Sequence, residues 1–516
     1  MERSQIRSGA MLTYTSIIVS LLVNLLYAPF MLSKLGPSQY GIYSLAYSIT
    51  TYFSLLDGGF GNSITRFTSK YLAENDTKSM NMMLGMLRVI YSGIGVVTMI
   101  VGVILTLSSN VLFSQSLTAN ELVLLRVLLP ISVFNAAISF PLSMYMSVIS
   151  AHQRFVFINF IRLIHVVVHP LLMVAVLLAN NGAIEMLIAT TVLGLARNAC
   201  YVVYCRNNLK IKIRFQGFDK ALMKEMLSYS AYIFVAMIAD QLFWRTDQII
   251  LAASPFGNSQ MIAVYSLAMT FTSVFLSFTN VIGQLQLPRF TRMVVGNESD
   301  RAISDRFIKI SRIQFFISAF VVSGFALVGR EFIVTWVGDA YSDAYHVTLI
   351  IMAGLAVGTT QNAGVPVLQA KGLVRYRALI LLVTALVKII LTWFFIQLWG
   401  VIGAAVATFI SRFLGIFVLM GVYYQRKAKL SILGLLGGLI KFVPAVILCL
   451  AVSQVIGRYV FSGIPTGFLH VVSVAAVYSV LFAGSVFLLM NGQEKDEIRG
   501  LAHNIFDRIR IRRTRT

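Results

Sequence analysis

Long apolar runs separated by short polar stretches make up most of the chain, and the runs recur at a length near 20 residues. An α-helix of about that length crosses the hydrocarbon layer of a bilayer. Fourteen such segments are predicted. The first six cover residues 12–32, 40–60, 84–107, 121–149, 156–179 and 183–205. The next six cover 227–252, 261–287, 310–329, 344–369, 376–397 and 401–424, and the last two cover 432–456 and 467–490. Backbone groups in hydrocarbon must bond to one another, so each segment is expected to be helical. The sequence lacks the period-two alternation of a membrane barrel. The first run follows Arg3 and Arg7, as the core of a signal peptide would. It continues to Leu32 without a small-residue cleavage site, so it reads as a retained span.

Composition agrees with lipid as the solvent. The 516 residues are 58% hydrophobic and 12% charged, where soluble domains carry roughly 25% charged residues. A single core cannot hide that deficit, because surface grows with size. Lys and Arg number 42 against 20 Asp and Glu, a net charge of +22. In a soluble protein this would suggest nucleic acid. Here the position of the charges decides otherwise. Thirty-two of the basic residues fall on the side of the termini, four on the opposite side (Lys34, Arg126, Arg330 and Arg458) and six inside spans. Cytoplasmic loops collect Lys and Arg, so both termini are expected in the cytoplasm, and no nucleic-acid partner is needed. The tail DRIRIRRTRT, from Asp507, reads as a stretch lying on anionic lipid.

The polar stretches also repeat. PSQYGIYSLA at 37–46 returns as NSQMIAVYSLA at 258–268. Arg66-Phe67-Thr68 follows the first copy, and Arg289-Phe290-Thr291 follows the second at matching distance. GAIEMLIAT from Gly182 corresponds to GVIGAAVAT from Gly400. One offset sustained over half the chain implies a duplicated six-helix unit. Six is even, so the copies share one orientation in the membrane. The expected architecture is an all-α integral membrane protein of two like-oriented six-helix lobes, residues 1–210 and 211–430. Helices 13 and 14 follow at 431–490, and then a basic cytoplasmic tail at 491–516.

This 6+6+2 plan, with LGPSQYGIYSLA after the first span and DGGFGNSITRF after the second, resembles the bacterial oligosaccharide flippases of the Wzx type. Their superfamily also holds the MATE exporters and the lipid II flippase. The likeness covers roughly residues 5–490 and is most specific at Leu35–Phe67 and Thr246–Ala268. It implies a MATE-like fold in the bacterial plasma membrane. The implied substrate is an undecaprenyl-diphosphate-linked oligosaccharide, moved from the inner to the outer leaflet for capsule, O-antigen or related polymers. Membrane lipids and other polysaccharide assembly proteins are the implied partners, and a monomer is expected.

Charges inside spans are the candidate site. Each costs about 2.5–3.5 kcal/mol at the bilayer centre, so it should face a bundle interior or a watery cavity. The cations are Arg162, Arg197, Arg245, Lys388, Arg412 and Lys441. All but Lys441 are candidate ligands for a diphosphate, whose oxygens suit arginine forks. Arg162 and Lys441 lie close enough to span ends to snorkel instead. Arg197, Arg412 and Lys388 either line a cavity or pair with a buried acid. Asn159, Arg162, His165 and His169 share a helix face, as a polar wall or as packing, and the two histidines are also candidates for ion coupling or gating. Asp240 and Asp247 are read either as coupling groups for H+ or Na+ or as ion-pair partners. Asp57, in LLDGGFG, is read as a helix-end cap or gate partner.

Other chemistries find little support. Cys200, Cys205 and Cys449 lack CxxC spacing, so neither zinc nor a disulfide frame is expected. No cofactor is expected, and without a GxxxxGK loop neither is direct use of ATP. No nucleophile or metal constellation marks an enzyme. The main rival is a MATE-like exporter of small amphipathic molecules, which should present acids rather than cations to its cavity.

Overall fold

The computed structural model describes residues 2–489 except 212, 214, 216, 285, 374, 441, 460–464 and 466. Lys441 and the basic tail therefore lie outside the described residues. Every regular element among those described is helical. In chain order they are α1 (Glu2–Phe53), a 3-10 turn (Ser54–Asp57), α2 (Phe60–Ala73), α3 (Thr77–Phe113), α4 (Ala119–Ala151), α5 (Phe155–Leu178) and α6 (Ala183–Asn207). Then follow α7 (Lys220–Ala253), α8 (Ser259–Gln284), α9 (Leu287–Val295), α10 (Asp300–Val337), α11 (Ala344–Thr359) and α12 (Gly364–Ala370). The last are α13 (Arg375–Arg412), a π-helical stretch (Phe413–Leu419), α14 (Met420–Arg426), α15 (Ile432–Ile440), α16 (Val443–Tyr459) and α17 (Phe468–Leu489).

Ten of the described helices are long and apolar enough to cross a membrane, or eleven if the two parts of α7, bent by 42°, form one span. The protein is thus a multi-pass membrane protein, although a helix count does not return fourteen. Part of the difference has a local cause. α1 runs through a break at Gly36 (φ 70°) and α13 through one at Gly400 (φ 54°). Both breaks fall in the gaps between predicted spans, at backbone angles that favour glycine. Two inner stretches read as loops are instead short helices, α2 and α9. Each buries its phenylalanine (Phe67 and Phe290) and exposes the arginine beside it (Arg66 and Arg289). The predicted span 432–456 is covered by α15 and α16, which lie on either side of residue 441 and together make one candidate span, Ile432–Tyr459.

One compact unit comprises Met1–Val274, Val337–Gly354 and Val374–Met420. Its core joins Phe60, Ile64 and Phe67 of α2, Leu84, Leu87 and Tyr91 of α3, Met144 and Val148 of α4, and Leu222 and Met226 of α7. Lipid tails are as apolar as these side chains, so close packing drives association here more than escape from water does. Small residues permit it. A Cβ on Gly95 of α3 would lie 2.7 Å from the Ala137 carbonyl oxygen of α4. At the start of α3, Asp76 accepts a hydrogen bond from the Ser79 backbone N–H at 2.9 Å. Hydrogen bonds from Ser79, side chain and then backbone, hold this exposed carboxyl below its ordinary range.

The second unit comprises Phe275–Trp336, Leu355–Leu373 and Gly421–Thr516. Phe316 of α10 meets Phe442 edge-on at 4.7 Å, and Cys449, Tyr478 and Phe482 pack together between α16 and α17. Lys371 and Lys429 both reach Asp300, at 2.8 and 3.2 Å. The three cysteines are free; Cys200 is exposed, and Cys205 and Cys449 are buried.

Candidate functional site

Apart from Asp57, the described charged residues singled out inside spans fall into three groups, all within the first compact unit. The first is a buried ion pair between α7 and α13. Lys388 Nζ lies 2.6 Å from Asp247 Oδ2, and both side chains are only 1% exposed. The Tyr265 hydroxyl donates to Asp247 Oδ2, and Thr392 Oγ1 donates to Oδ1 at 3.0 Å. Lys388 also donates to the Phe243 carbonyl and lies 4.4 Å from that ring's centroid. Both charges are thus neutralised and hydrogen-bonded, which burial demands. Lys388 is thus occupied by its partners, and it is not among the residues that line the cavity described next.

The second group surrounds a cavity of about 50 Å³ one turn away, lined by Ala236, Ala239, Asp240, Phe243, Leu381, Thr384 and Arg412. The Arg412 guanidinium lies over two rings, 3.9 Å from the Phe243 centroid and 4.9 Å from that of Trp244. Stacking uses the faces of the guanidinium and leaves its in-plane N–H donors directed elsewhere. The buried Nε has no hydrogen-bond partner among the described residues. Asp240 is exposed at the cavity, within electrostatic reach of Arg412, Arg245 and Arg377. One acid thus stands among three arginines. Arg245, half-buried, lies 5.3 Å from the ring centroid of Tyr47 on α1.

The third group is the polar face of α5 and α6. His165 and His169 stack at 5.5 Å, and His169 Nε2 shares a hydrogen bond of 3.2 Å with Thr190 Oγ1. Arg197 of α6 is half-buried and acts electrostatically on both histidines, while Arg162 of α5 is exposed. Asp57 belongs to none of the three. It ends the 3-10 turn and accepts hydrogen bonds from the Tyr91 hydroxyl and, at 3.5 Å, from the Gly61 N–H. Left-handed backbone at Gly58 and Gly59 turns the chain there into α2.

Sequence reasoning had not selected Tyr265, Thr392, Phe243, Trp244 or Arg377. Two signals were present: Tyr265 belongs to the repeated phrase, and Thr392 lies one helical turn beyond Lys388. Arg377, at the very start of the span predicted over 376–397, is one of the thirty-two basic residues assigned to the side of the termini. Among the described residues no cluster of three or more His, Cys, Asp and Glu could hold a metal ion.

A sequence model of the polysaccharide biosynthesis protein family matches residues 6–294, more than half of the chain. The chain belongs to that family. No curated protein sequence matches it. Solved structures share its fold. The lipid II flippase MurJ, in an inward closed conformation, is similar with a TM-score of 0.68 at 14% identity, over 94% of this chain and 99% of that one. A multidrug resistance MATE family transporter of the MOP superfamily, in an inward-facing conformation, is similar with a TM-score of 0.61 at 13% identity, over 80% and 96%. A MOP superfamily transporter from Pyrococcus furiosus, described by a reversed polarity of its binding pocket, has a TM-score of 0.54 at 12% identity, over 83% and 97%.

Proposed function

We propose that the protein flips an undecaprenyl-diphosphate-linked oligosaccharide unit from the inner to the outer leaflet for surface polysaccharide assembly. It does so by alternating access between the two six-helix lobes, with both termini in the cytoplasm. The observation that carries this reading is Arg412, stacked on two rings with a buried nitrogen lacking a partner among the described residues, at a cavity whose one lining acid, Asp240, is within electrostatic reach of three arginines. A guanidinium held by its faces presents its edge to phosphate oxygens. Family membership supports the polysaccharide setting. The same excess of cations counts against an exporter of organic cations.

The cargo's charge suggests an energy source. With the inside negative, each negative charge moved outward gains about 2.3 kcal/mol per 100 mV. Asp240, unlike Asp247, is held in no ion pair among the described residues and is the better candidate for coupling to H+ or Na+. The rims of the path belong to Arg245 and to the Arg162, His165, His169 and Arg197 face.

The test is transport in reconstituted vesicles, followed as lectin access to a lipid-linked oligosaccharide. Arg412→Gln, which retains size but not charge, is expected to slow flipping by about tenfold or more, the loss of one charge-assisted hydrogen bond. Arg412→Lys should restore only part, since an ammonium cannot present a planar fork. Undiminished flipping by Arg412→Gln sinks the assignment.

A further inference from the structure

Glu121, in the first turn of α4, holds two sets of partners with its two oxygens. Oε2 accepts the Thr118 backbone N–H at 2.9 Å, and the Thr118 hydroxyl in turn accepts the Glu121 N–H, forming a helix cap. Capping occupies only that oxygen. Oε1 accepts hydrogen bonds from two serine hydroxyls, those of Ser38 and Ser259. Ser38 and Ser259 are the serines that open the two copies of the repeated phrase, PSQYGIYSLA and NSQMIAVYSLA. One carboxylate oxygen therefore joins both copies.

The surroundings are built for close approach. Gly41 of the first copy lies against the Ser259 carbonyl, and any Cβ at position 41 would overlap it. Ser44, one turn further along the same face, is buried beneath. From the α3–α4 turn, the Ser116 hydroxyl also donates to the Ala252 carbonyl in the last turn of α7. That turn thus holds both sides of the α7–α8 turn together with the α1 segment after Gly36. All these groups sit at helix ends opposite the basic loops, on the face that the charge distribution directs outward.

We propose that Glu121 is a gating residue of the transport cycle: its carboxylate clasps the two repeated phrases and keeps the outer face closed, and breaking its two serine hydrogen bonds accompanies outward opening. The proposal rests on the alternating-access reading but not on the identity of the cargo. Two hydroxyls on one carboxylate suit such a role. Each such bond can bias a two-state equilibrium by about tenfold, enough to hold one state and little enough to be overcome.

The experiment reads opening directly. In a variant lacking Cys200, Cys205 and Cys449, Ser44→Cys is exposed to a membrane-impermeant maleimide from outside intact cells, and its labelling rate is measured. Slow labelling is expected in this parent. Glu121→Ala, and separately Ser38→Ala with Ser259→Ala, should each raise the rate about tenfold or more. Glu121→Gln, still an acceptor but neutral, should fall between. Thr118→Ala weakens the helix cap alone and should label at the parent rate.

Parent-rate labelling in the double serine variant, eluting as a folded monodisperse species, overturns the proposal. So does a Thr118→Ala rate matching that of Glu121→Ala, since a frayed helix end would then account for both. The serine pair keeps the test decisive if Glu121→Ala fails to accumulate. Faster labelling without movement of lipid-linked oligosaccharide supports the gate and removes the cargo. Flipping that continues with labelling unchanged across the set removes the gate alone.

Discussion

Lys388 and Arg412 show how differently two buried cations of one helical stretch are used. Lys388 meets a carboxylate, a carbonyl and a ring, so its charge is fully compensated. Arg412 has rings above its face and an unpartnered nitrogen. The two should therefore fail in different ways when replaced. Lys388→Ala leaves the Asp247 carboxylate buried without its counter-charge, which typically costs about 3–5 kcal/mol. A marked fall in the thermal unfolding temperature of the purified protein is expected, and a smaller one for the double variant Asp247→Ala with Lys388→Ala. If the double variant is the less stable, the pair is not what holds these helices. The charged residues themselves were legible, because a charge in an apolar run stands out. Their partners were not: Tyr265, Thr392 and Phe243 are ordinary residues in spans, and Lys388 is brought to Asp247 only by the packing of α13 on α7.

At the scale of elements, hydropathy located most spans, since their length answers to the bilayer and not to the details of packing. It also left gaps at 33–39 and 398–400, where the backbone breaks at Gly36 and Gly400. It missed α2 and α9, which are amphipathic and only half apolar, so a reading tuned to long apolar runs passes over them. Contacts between spans follow from small residues. Gly95 faces the Ala137 carbonyl, whereas Gly93, two residues earlier, has nothing near its Cβ position. Gly95→Ala should push α3 from α4 and destabilise by about 1–3 kcal/mol. Gly93→Ala should instead raise stability by up to about 1 kcal/mol through helix propensity. Opposite shifts in unfolding temperature are the expected result; equal shifts would mean that close approach at Gly95 contributes nothing.

For the whole molecule, the 32-to-4 distribution of basic residues makes a prediction about orientation that needs no cargo. In the cysteine-free background, Ser69→Cys on the exposed face of α2 should react with an impermeant maleimide only after cells are permeabilised. Ser114→Cys, exposed after α3, should react in intact cells. The reverse pattern would invert the topology and, with it, the direction of transport. The same distribution gives a net charge of +22 a reading that needs no nucleic acid, because most of the basic residues lie in the loops and tail on the side of the termini.

The membrane-spanning class, the helical architecture and the candidate cations were determined by the sequence itself. These depend on one-dimensional quantities: run length, hydropathy and the placement of charge relative to lipid. Which cation is paired and which is left unpaired depended on three-dimensional packing, because a counter-charge can come from any helix and no spacing rule encodes it. The same holds for Glu121. Nothing in the repeated phrase announces a carboxylate from α4, and only the folded chain brings both serines to a single oxygen.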